Sequence, residues 1–308
     1  MNVDLTIAII ITMVGASTPL LFAALGELVV EKSGVLNLGV EGMMLTGAVV
    51  GFAITYTSGN PWLGIGAAAI AGASVSMIFA FLTLSLSANQ VATGLALTIF
   101  GAGFSALFGK PFTGKPIDIF GSVFPPALSE HPYLRVFFDY SPLVYFSLFM
   151  VFAIWWFLQK TRAGLILRAV GENDHSAHSI GYSVLGVRYG AIAFGGAMAG
   201  IGGSCFPLIL TPQWVEGLTG GRGWIALALV VFAAWRPGRL LAGAYLFGLI
   251  ATMELYAKAA GGAFRIIPSE LWASLPYLAT IIVLVLISLR HKISSSAPAC
   301  LGKPFIPN

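Results

Sequence analysis

Two polar side chains inside apolar stretches are the first candidates for chemistry in this sequence. Glu41 and Asn37 lie four residues apart in GVLNLGVEGMMLTGA, a spacing that places both on one face of a helix. An ionisable group in a lipid-embedded segment is costly, and it commonly faces a cavity or a solute path. Two interpretations stay open: Glu41 gates such a path, or it hydrogen-bonds a broken helix. Asn89 and Gln90, just before another apolar run, either line a path or cap a helix.

A second candidate is the polar stretch GENDHSAHSIG. It places His175 and His178 three residues apart, close to Glu172 and Asp174. The grouping resembles a metal cluster, but the sequence shows no further ligands with supporting partners, so a solvated loop face is favoured. We predict no metal site and no catalytic residue, because no Ser-His-Asp order, P-loop lysine motif or HExxH motif is present.

The elements that must position these residues are membrane helices. Charged residues make up 9% of the 308 residues, against about 25% in an average globular chain. Hydrophobic residues make up 57%, with a mean hydropathy of +0.90. Since a spanning helix needs about 20 mostly apolar residues, we predict an all-α, polytopic transmembrane bundle of about nine spans. The predicted spans are roughly 5–24, 34–55, 62–86, 91–109, 141–158, 189–210, 223–235, 240–257 and 271–289.

Two of these spans are irregular, and this bears on function. The span at 223–235 is short, and the one at 34–55 begins with glycines and polar groups. Both are candidates for broken helices near the middle of a transport path. The glycine-dense span at 189–210 is instead expected to serve close helix packing. No linker separates domains, so we predict one membrane domain over 1–308.

Basic residues predict how the bundle is oriented. With the N-terminus outside, ten of the sixteen Lys and Arg residues fall inside, as the positive-inside rule requires. We therefore predict an external segment at 110–140, a cytoplasmic loop at 160–188 and a cytoplasmic tail at 290–308. The ten are Lys32, Lys160, Arg162, Arg168, Arg188, Arg236, Arg239, Arg290, Lys292 and Lys303.

Four stretches together resemble the permease subunits of ABC importers in the branched-chain amino acid, ribose and nucleoside family. They are EKSGVLNLGVEGMMLTGA at 31–48, SANQVATGLALTIFGAG at 87–103, LRAVGENDHSAHSIGYSVLGVRYGAIAFGGAMAGIGGS at 167–204 and GRGWIALALVVFAAWRPGRLLAGAYLFG at 221–248. SGVLNLGVEG and GRGWIALALV are most similar to the shorter of two paired permeases in nucleoside importers. Asp174 departs from the family, whose members usually carry Pro after Gly-Glu-Asn.

The resemblance implies a division of labour in the plasma membrane, the inner membrane of a bacterium. An extracytoplasmic binding protein or lipoprotein would deliver the solute, and a second, longer permease paralogue would complete the pore. ABC ATP-binding subunits would hydrolyse ATP, so this chain is expected to bind no cofactor and no nucleic acid and to be no enzyme itself. The resemblance also assigns the loop residues that would couple to the ATPase: Arg168, Gly171, Glu172, Asn173 and Gly181.

The solute and the transport class have alternatives. Nucleosides are the preferred solute, with a simple sugar or a branched-chain amino acid as alternatives within the family. A secondary transporter coupled to protons through Glu41 or Glu254 is a different class, which a pH-driven transport assay would reveal. A membrane-embedded enzyme is least favoured, because no acid–base or metal set converges at one depth.

Overall fold

The computed structural model describes residues 3–129, 131, 133–260 and 297–306. Between 261 and 296 it describes residues 268, 270–272, 274, 275, 278, 279, 281, 282 and 285. The described chain is built from helices, with two isolated bridges pairing Thr113 with Trp214 and Pro116 with Gln213. The predicted all-α class is therefore confirmed.

Twelve helices are described in chain order. Two of the long ones, α3 and α10, continue at their ends as π-helical turns, Phe81–Ser85 and Phe206–Leu210. The helices are α1 (Val3–Lys32), α2 (Val40–Ser58), α3 (Pro61–Ala80), α4 (Gln90–Gly109), α5 (Pro126–Ser129), α6 (Arg135–Phe138), α7 (Pro142–Lys160), α8 (Arg162–Glu172), α9 (Asp174–Ser179), α10 (Val184–Cys205), α11 (Arg222–Phe232) and α12 (Pro237–Ala260).

Seven of these helices are long and apolar enough to cross a membrane: α1, α2, α3, α4, α7, α10 and α12. The polytopic membrane fold is thus confirmed. The predicted seventh span is the 11-residue α11, a short helix as expected. The predicted ninth span, 271–289, falls largely outside the described residues. The predicted second span becomes helical only at Val40, because residues 33–39 are irregular.

Helix α10 is the centre of the bundle and packs against α1, α2 and α3. Its glycines let neighbouring backbones approach closely. A Cβ added to Gly47 of α2 would lie 2.4 Å from the Cα of Gly200, and one added to Gly72 of α3 would lie 2.2 Å from the carbonyl oxygen of Gly196. The predicted packing role of this glycine-dense span is confirmed, since these contacts leave no room for side chains.

The two ends of the bundle have different partners. At one end, the last residues of α1 and α7 lie beside α8, the turn between α11 and α12, and residues 297–306. At the other end, the segment at 110–140 reaches the loop after α10, where the Ile117 N–H donates to the Pro212 carbonyl at 3.0 Å. The two predicted sides are thus separate, and which of them faces the cytoplasm stays a prediction. Arg290 and Lys292, used to predict it, lie outside the described residues.

Candidate translocation and coupling sites

The buried carboxylate of Glu41, in the first turn of α2, holds the glycine-rich loop that precedes α11. Its Oε1 accepts hydrogen bonds from the Thr219 hydroxyl at 2.5 Å and the Gly221 N–H at 2.8 Å. Its Oε2 accepts from the Gly223 N–H at 2.6 Å. A Cβ on Gly223 would lie 2.5 Å from the Glu41 Cα, so this approach requires glycine. We call these four residues the Glu41 junction.

The Glu41 junction lies at the start of both α2 and α11. From it, the 11 residues of α11 extend about 16 Å at a rise of about 1.5 Å per residue. They lead to Trp235, whose ring lies 5.8 Å from the Lys32 ammonium at the end of α1. Two helices that each follow irregular backbone therefore meet at the Glu41 junction, and helices broken in this way commonly form the solute and ion sites of transporter folds.

The junction satisfies backbone groups that would otherwise be costly. The first N–H groups of a helix have no partner within it, and its N-terminus carries partial positive charge. The Glu41 carboxylate meets both needs at the start of α11. These contacts are those of a helix cap, the second of the two interpretations offered above. A gating role for Glu41 stays a prediction.

Asn37 has different hydrogen-bond partners from Glu41. It precedes α2, so the expectation that the two share one helix face is wrong. Its Oδ1 accepts from the Gly39 N–H at 2.9 Å, and its own N–H donates to Glu27 at 3.2 Å. The backbone of residues 33–39 lacks the regular hydrogen bonds of a helix. The two hydrogen bonds of Asn37 replace some of them. Glu41 instead finds its partners some 180 residues along the chain.

Gln90 and Asn89 also serve local backbone. The buried Gln90 accepts from the Leu36 N–H at 2.8 Å, which fastens the 33–39 stretch to the start of α4. The exposed Asn89 accepts from the Ala92 N–H at 3.0 Å and caps α4. Of the two interpretations, these contacts match helix capping and loop support, and a path-lining role stays a prediction.

Two further buried acids, Glu27 and Glu31, were not singled out from the sequence. The Asn37 N–H donates to Glu27, and the Trp235 indole N–H donates to Glu31 at 2.6 Å. Their spacing of four residues was an available signal, but the predicted first span stopped at residue 24. Glu31 therefore holds the far end of α11, whose near end is held by Glu41.

Helices α8 and α9 form a hairpin outside the spans, here called the coupling hairpin (162–179). Asn173 lies between them and caps α9 by accepting from the Ser176 N–H at 2.9 Å. Glu172 and Asn173 are exposed, whereas Gly171 is buried, with a Cβ position 2.2 Å from the Lys32 carbonyl oxygen. Gly181 follows with φ +92°, a conformation that favours glycine even though the space around it is open. Coupling to an ATPase through these residues stays a prediction.

A buried ion pair ties α9 to the spans. Arg188, fully buried in α10, contacts Asp174 at 3.0 Å and donates through Nε to the Ser33 carbonyl at 3.1 Å. The expectation that the acids of this loop are solvated is therefore wrong for Asp174, because an arginine 14 residues later covers it. Through Ser33, the same arginine reaches the start of the 33–39 stretch.

Residues 297–306, here called the tail strap, pack onto the coupling hairpin. The Cys300 N–H donates to the Gly171 carbonyl at 2.9 Å, and the Gly302 N–H donates to the Gly34 carbonyl at 3.1 Å. Phe305 is buried, with its ring centroid 5.5 Å from those of both His175 and His178. Among the described residues, no group of three His, Cys, Asp or Glu is placed to hold a metal ion.

Two apolar side chains are exposed in the connection between the coupling hairpin and α10. Ile180, just after α9, is 71% exposed, and Tyr182 is 40% exposed. Neither was singled out from the sequence, because a single isoleucine in a polar loop carries no signal until its exposure is known. A contact with another protein at these two side chains stays a prediction.

Comparisons with known proteins agree with this architecture. Residues 9–287 match the family model described as branched-chain amino acid transport system / permease component. The chain is 40% identical to the “Putative glucose ABC transporter permease protein TsgC13” of Haloferax volcanii, over 88% of each chain. It is 33% identical to the nucleoside ABC transporter permease protein NupC of Lactococcus lactis subsp. cremoris, over 93% of this chain and 94% of the relative.

A third relative covers nearly the whole chain. It is the guanosine ABC transporter permease protein NupQ of Bacillus subtilis, 32% identical over 98% of this chain and 97% of its own. No solved structure matches significantly. The chain belongs to this permease family, and it is a multi-pass transport subunit of an ABC system.

Proposed function

We propose that this chain is one of two permease subunits of an ABC importer for nucleosides, with its coupling hairpin in the cytoplasm. A longer paralogue is the second permease, and an extracytoplasmic binding protein or lipoprotein delivers the solute. ATP is hydrolysed by separate ATP-binding subunits that dock on the hairpin. The observation that carries the proposal is the connection between α9 of the coupling hairpin and the Glu41 junction, which begins with buried polar contacts.

That connection has three links. Asp174 of α9 pairs with Arg188, and Arg188 holds the Ser33 carbonyl. The stretch that begins at Ser33 leads to Glu41, which holds the start of α11. Because the Asp174–Arg188 and Arg188–Ser33 contacts are buried and hydrogen-bonded, a displacement of α9 by a docked ATPase is passed along residues 33–39 to the Glu41 junction. In this proposal the short α11 is the element that moves beside the solute.

The solute is argued from chemistry and from the relatives. Glu41 is engaged by three donors, so it offers no free charge to a zwitterionic amino acid. A neutral solute suits such a path, and two relatives that cover 93% and 98% of this chain are named for nucleoside and guanosine. Glucose is the second candidate, favoured by the 40% identity to a relative named for it.

Uptake by the reconstituted transporter tests the solute. Proteoliposomes would contain this chain, the second permease and the ATP-binding subunits, with the binding protein outside. We expect saturable, ATP-dependent uptake of labelled guanosine that excess glucose does not inhibit. Uptake of glucose without guanosine would replace the solute proposed here. Uptake by this chain alone without ATP would overturn the importer assignment.

Docking of the ATP-binding subunits is tested separately with Ile180→Asp, just after the coupling hairpin. Placing a charge on an exposed apolar contact is expected to weaken co-purification of the ATP-binding subunits by about tenfold, an effect of about 1.4 kcal/mol. Ile119→Asp is the matched control, because Ile119 is 60% exposed in the segment at 110–140. Unchanged co-purification of the Ile180 variant would place the docking surface elsewhere and leave the solute assignment untouched.

A further inference from the structure

A cavity of about 570 Å³ opens beside the coupling hairpin, between the ends of α1, α7 and α8 and the turn that leads into α12. Its lining is strongly basic. Four cations face it against one carboxylate, which gives the lining a net charge of +3. These charged residues are Lys32, Arg168, Arg236, Arg239 and Glu172.

Two arginines of this cavity are exposed to an outside ligand, and a third has a donor without a partner among the described residues. The Nε of Arg168 is buried without a hydrogen-bond partner among the described residues. Arg236 and Arg239 have exposed side chains. The Oε2 of Glu31 accepts the indole N–H of Trp235, so this carboxylate oxygen is already engaged. A buried guanidinium donor without a partner, in a pocket of like charge, calls for an anion.

The position of the cavity identifies the anion. Lys32 ends α1, Gln159 lies at the end of α7, and Pro237 begins α12, so the cavity lies at the ends of three spans. Trp155, in its wall, is 42% exposed, and tryptophan is enriched at the membrane–water interface. The anion present at this level is the phosphate of phospholipids, and basic pockets at helix ends bind such headgroups.

We propose that this cavity binds the headgroup phosphate of an anionic phospholipid, with Arg168, Arg236 and Arg239 as its ligands. The bound headgroup joins α8 to the turn between α11 and α12, because both elements line the cavity. It therefore strengthens the attachment of the coupling hairpin to the spans. The proposal requires a bilayer but holds whichever solute is transported.

Lipid binding to the full transporter complex tests this. The purified complex in detergent is titrated with phosphatidylglycerol or with phosphatidylcholine, and retained lipid is counted by native mass spectrometry. The test variant is Arg168→Gln with Arg236→Gln. The matched control is Arg162→Gln, because Arg162 is an exposed cation on α8 that does not line the cavity. Thermal unfolding in phosphatidylcholine alone checks that both variants fold.

Each cation near an anionic lipid contributes about fivefold in affinity, so the double variant is expected to bind phosphatidylglycerol about thirtyfold more weakly. The wild type and Arg162→Gln retain phosphatidylglycerol in preference to phosphatidylcholine, and the preference falls with added salt. Equal retention of both lipids, or an unchanged double variant, overturns the proposal. So does displacement of phosphatidylglycerol by inorganic phosphate at similar concentration, which would assign the site to the free anion. Exclusion of the lipid by the bound ATP-binding subunits would assign it to a protein contact.

Discussion

Replacing Glu41 with Gln probes the Glu41 junction most directly. The carboxylate has two acceptor oxygens, and together they receive three donors, from Thr219, Gly221 and Gly223. The glutamine amide has one acceptor oxygen. In its better orientation this oxygen takes the place of Oε1 and keeps two bonds, while the amide NH₂ then faces the Gly223 N–H. Two donors meet there, and neither is satisfied.

The size of the effect follows from these contacts. A hydrogen bond to a charged group contributes about 1.5–3 kcal/mol, and a buried donor left without a partner costs about 1–3 kcal/mol. Removing a negative charge from the start of α11 costs about 0.3–1 kcal/mol more. The lost hydrogen bond and the unsatisfied donor describe partly the same contact, so their costs do not simply add. We therefore expect the junction to lose about 2–4 kcal/mol of stability. This corresponds to about 30- to 1000-fold in the population of the native junction.

The assay is thermal unfolding of the assembled transporter, measured beside ATP-driven uptake. Glu41→Gln is expected to lower the unfolding midpoint and to remove most uptake. Thr219→Val is the graded control, because it deletes one hydroxyl donor, keeps the charge and should cost about 1 kcal/mol. A Glu41→Gln transporter with wild-type midpoint and uptake would refute the capping role. If the variant instead loses uptake that a pH gradient drives without ATP, the proton-coupled mechanism would be supported.

Two further changes address the coupling hairpin. Asp174→Asn leaves Arg188 buried without its charge partner, which is expected to cost about 3–5 kcal/mol in the free energy of unfolding. Calorimetry of the complex checks this, and a variant as stable as wild type would show that the pair is not needed. Phe305→Ala empties the contact between the tail strap and α9, so solute-stimulated ATP hydrolysis should fall while basal hydrolysis persists. Ile306→Ala, at an exposed neighbour, is its control, and equal effects of the two would rule out a specific role for Phe305.

Hydropathy and glycine content made the spans and the two broken helices predictable. A short apolar run after GLTGGRG cannot cross a bilayer, and the glycines near Gly34 and Gly221 interrupt regular structure. The structure confirms both features. Hydropathy predicts these spans because a membrane helix is specified by its local composition, with little contribution from distant residues.

The buried polar contacts were not predictable, because their partners are distant in sequence. The predicted first span stops at residue 24 and leaves out Glu31, yet Trp235, 204 residues later, satisfies Glu31 inside the bundle. Periodicity places Glu41 beside Asn37, since it reveals only neighbours on the same helix. The local pattern predicts a solvated Asp174 for the same reason. In each case tertiary packing supplied a donor that no local pattern contains.

The buried acids share one physical cause. Helix α11 is short and residues 33–39 are not helical, so both leave backbone or side-chain donors inside an apolar bundle, where an unsatisfied donor is costly. Glu27 meets the N–H of Asn37, Glu41 meets the start of α11, and Glu31 holds Trp235 just after its end. The irregular backbone that a transport path needs is therefore the reason for the carboxylates. Because those carboxylates bind α11 from both ends, α11 cannot shift alone: its movement requires that α1 and α2 move with it or that a buried carboxylate lose its donors.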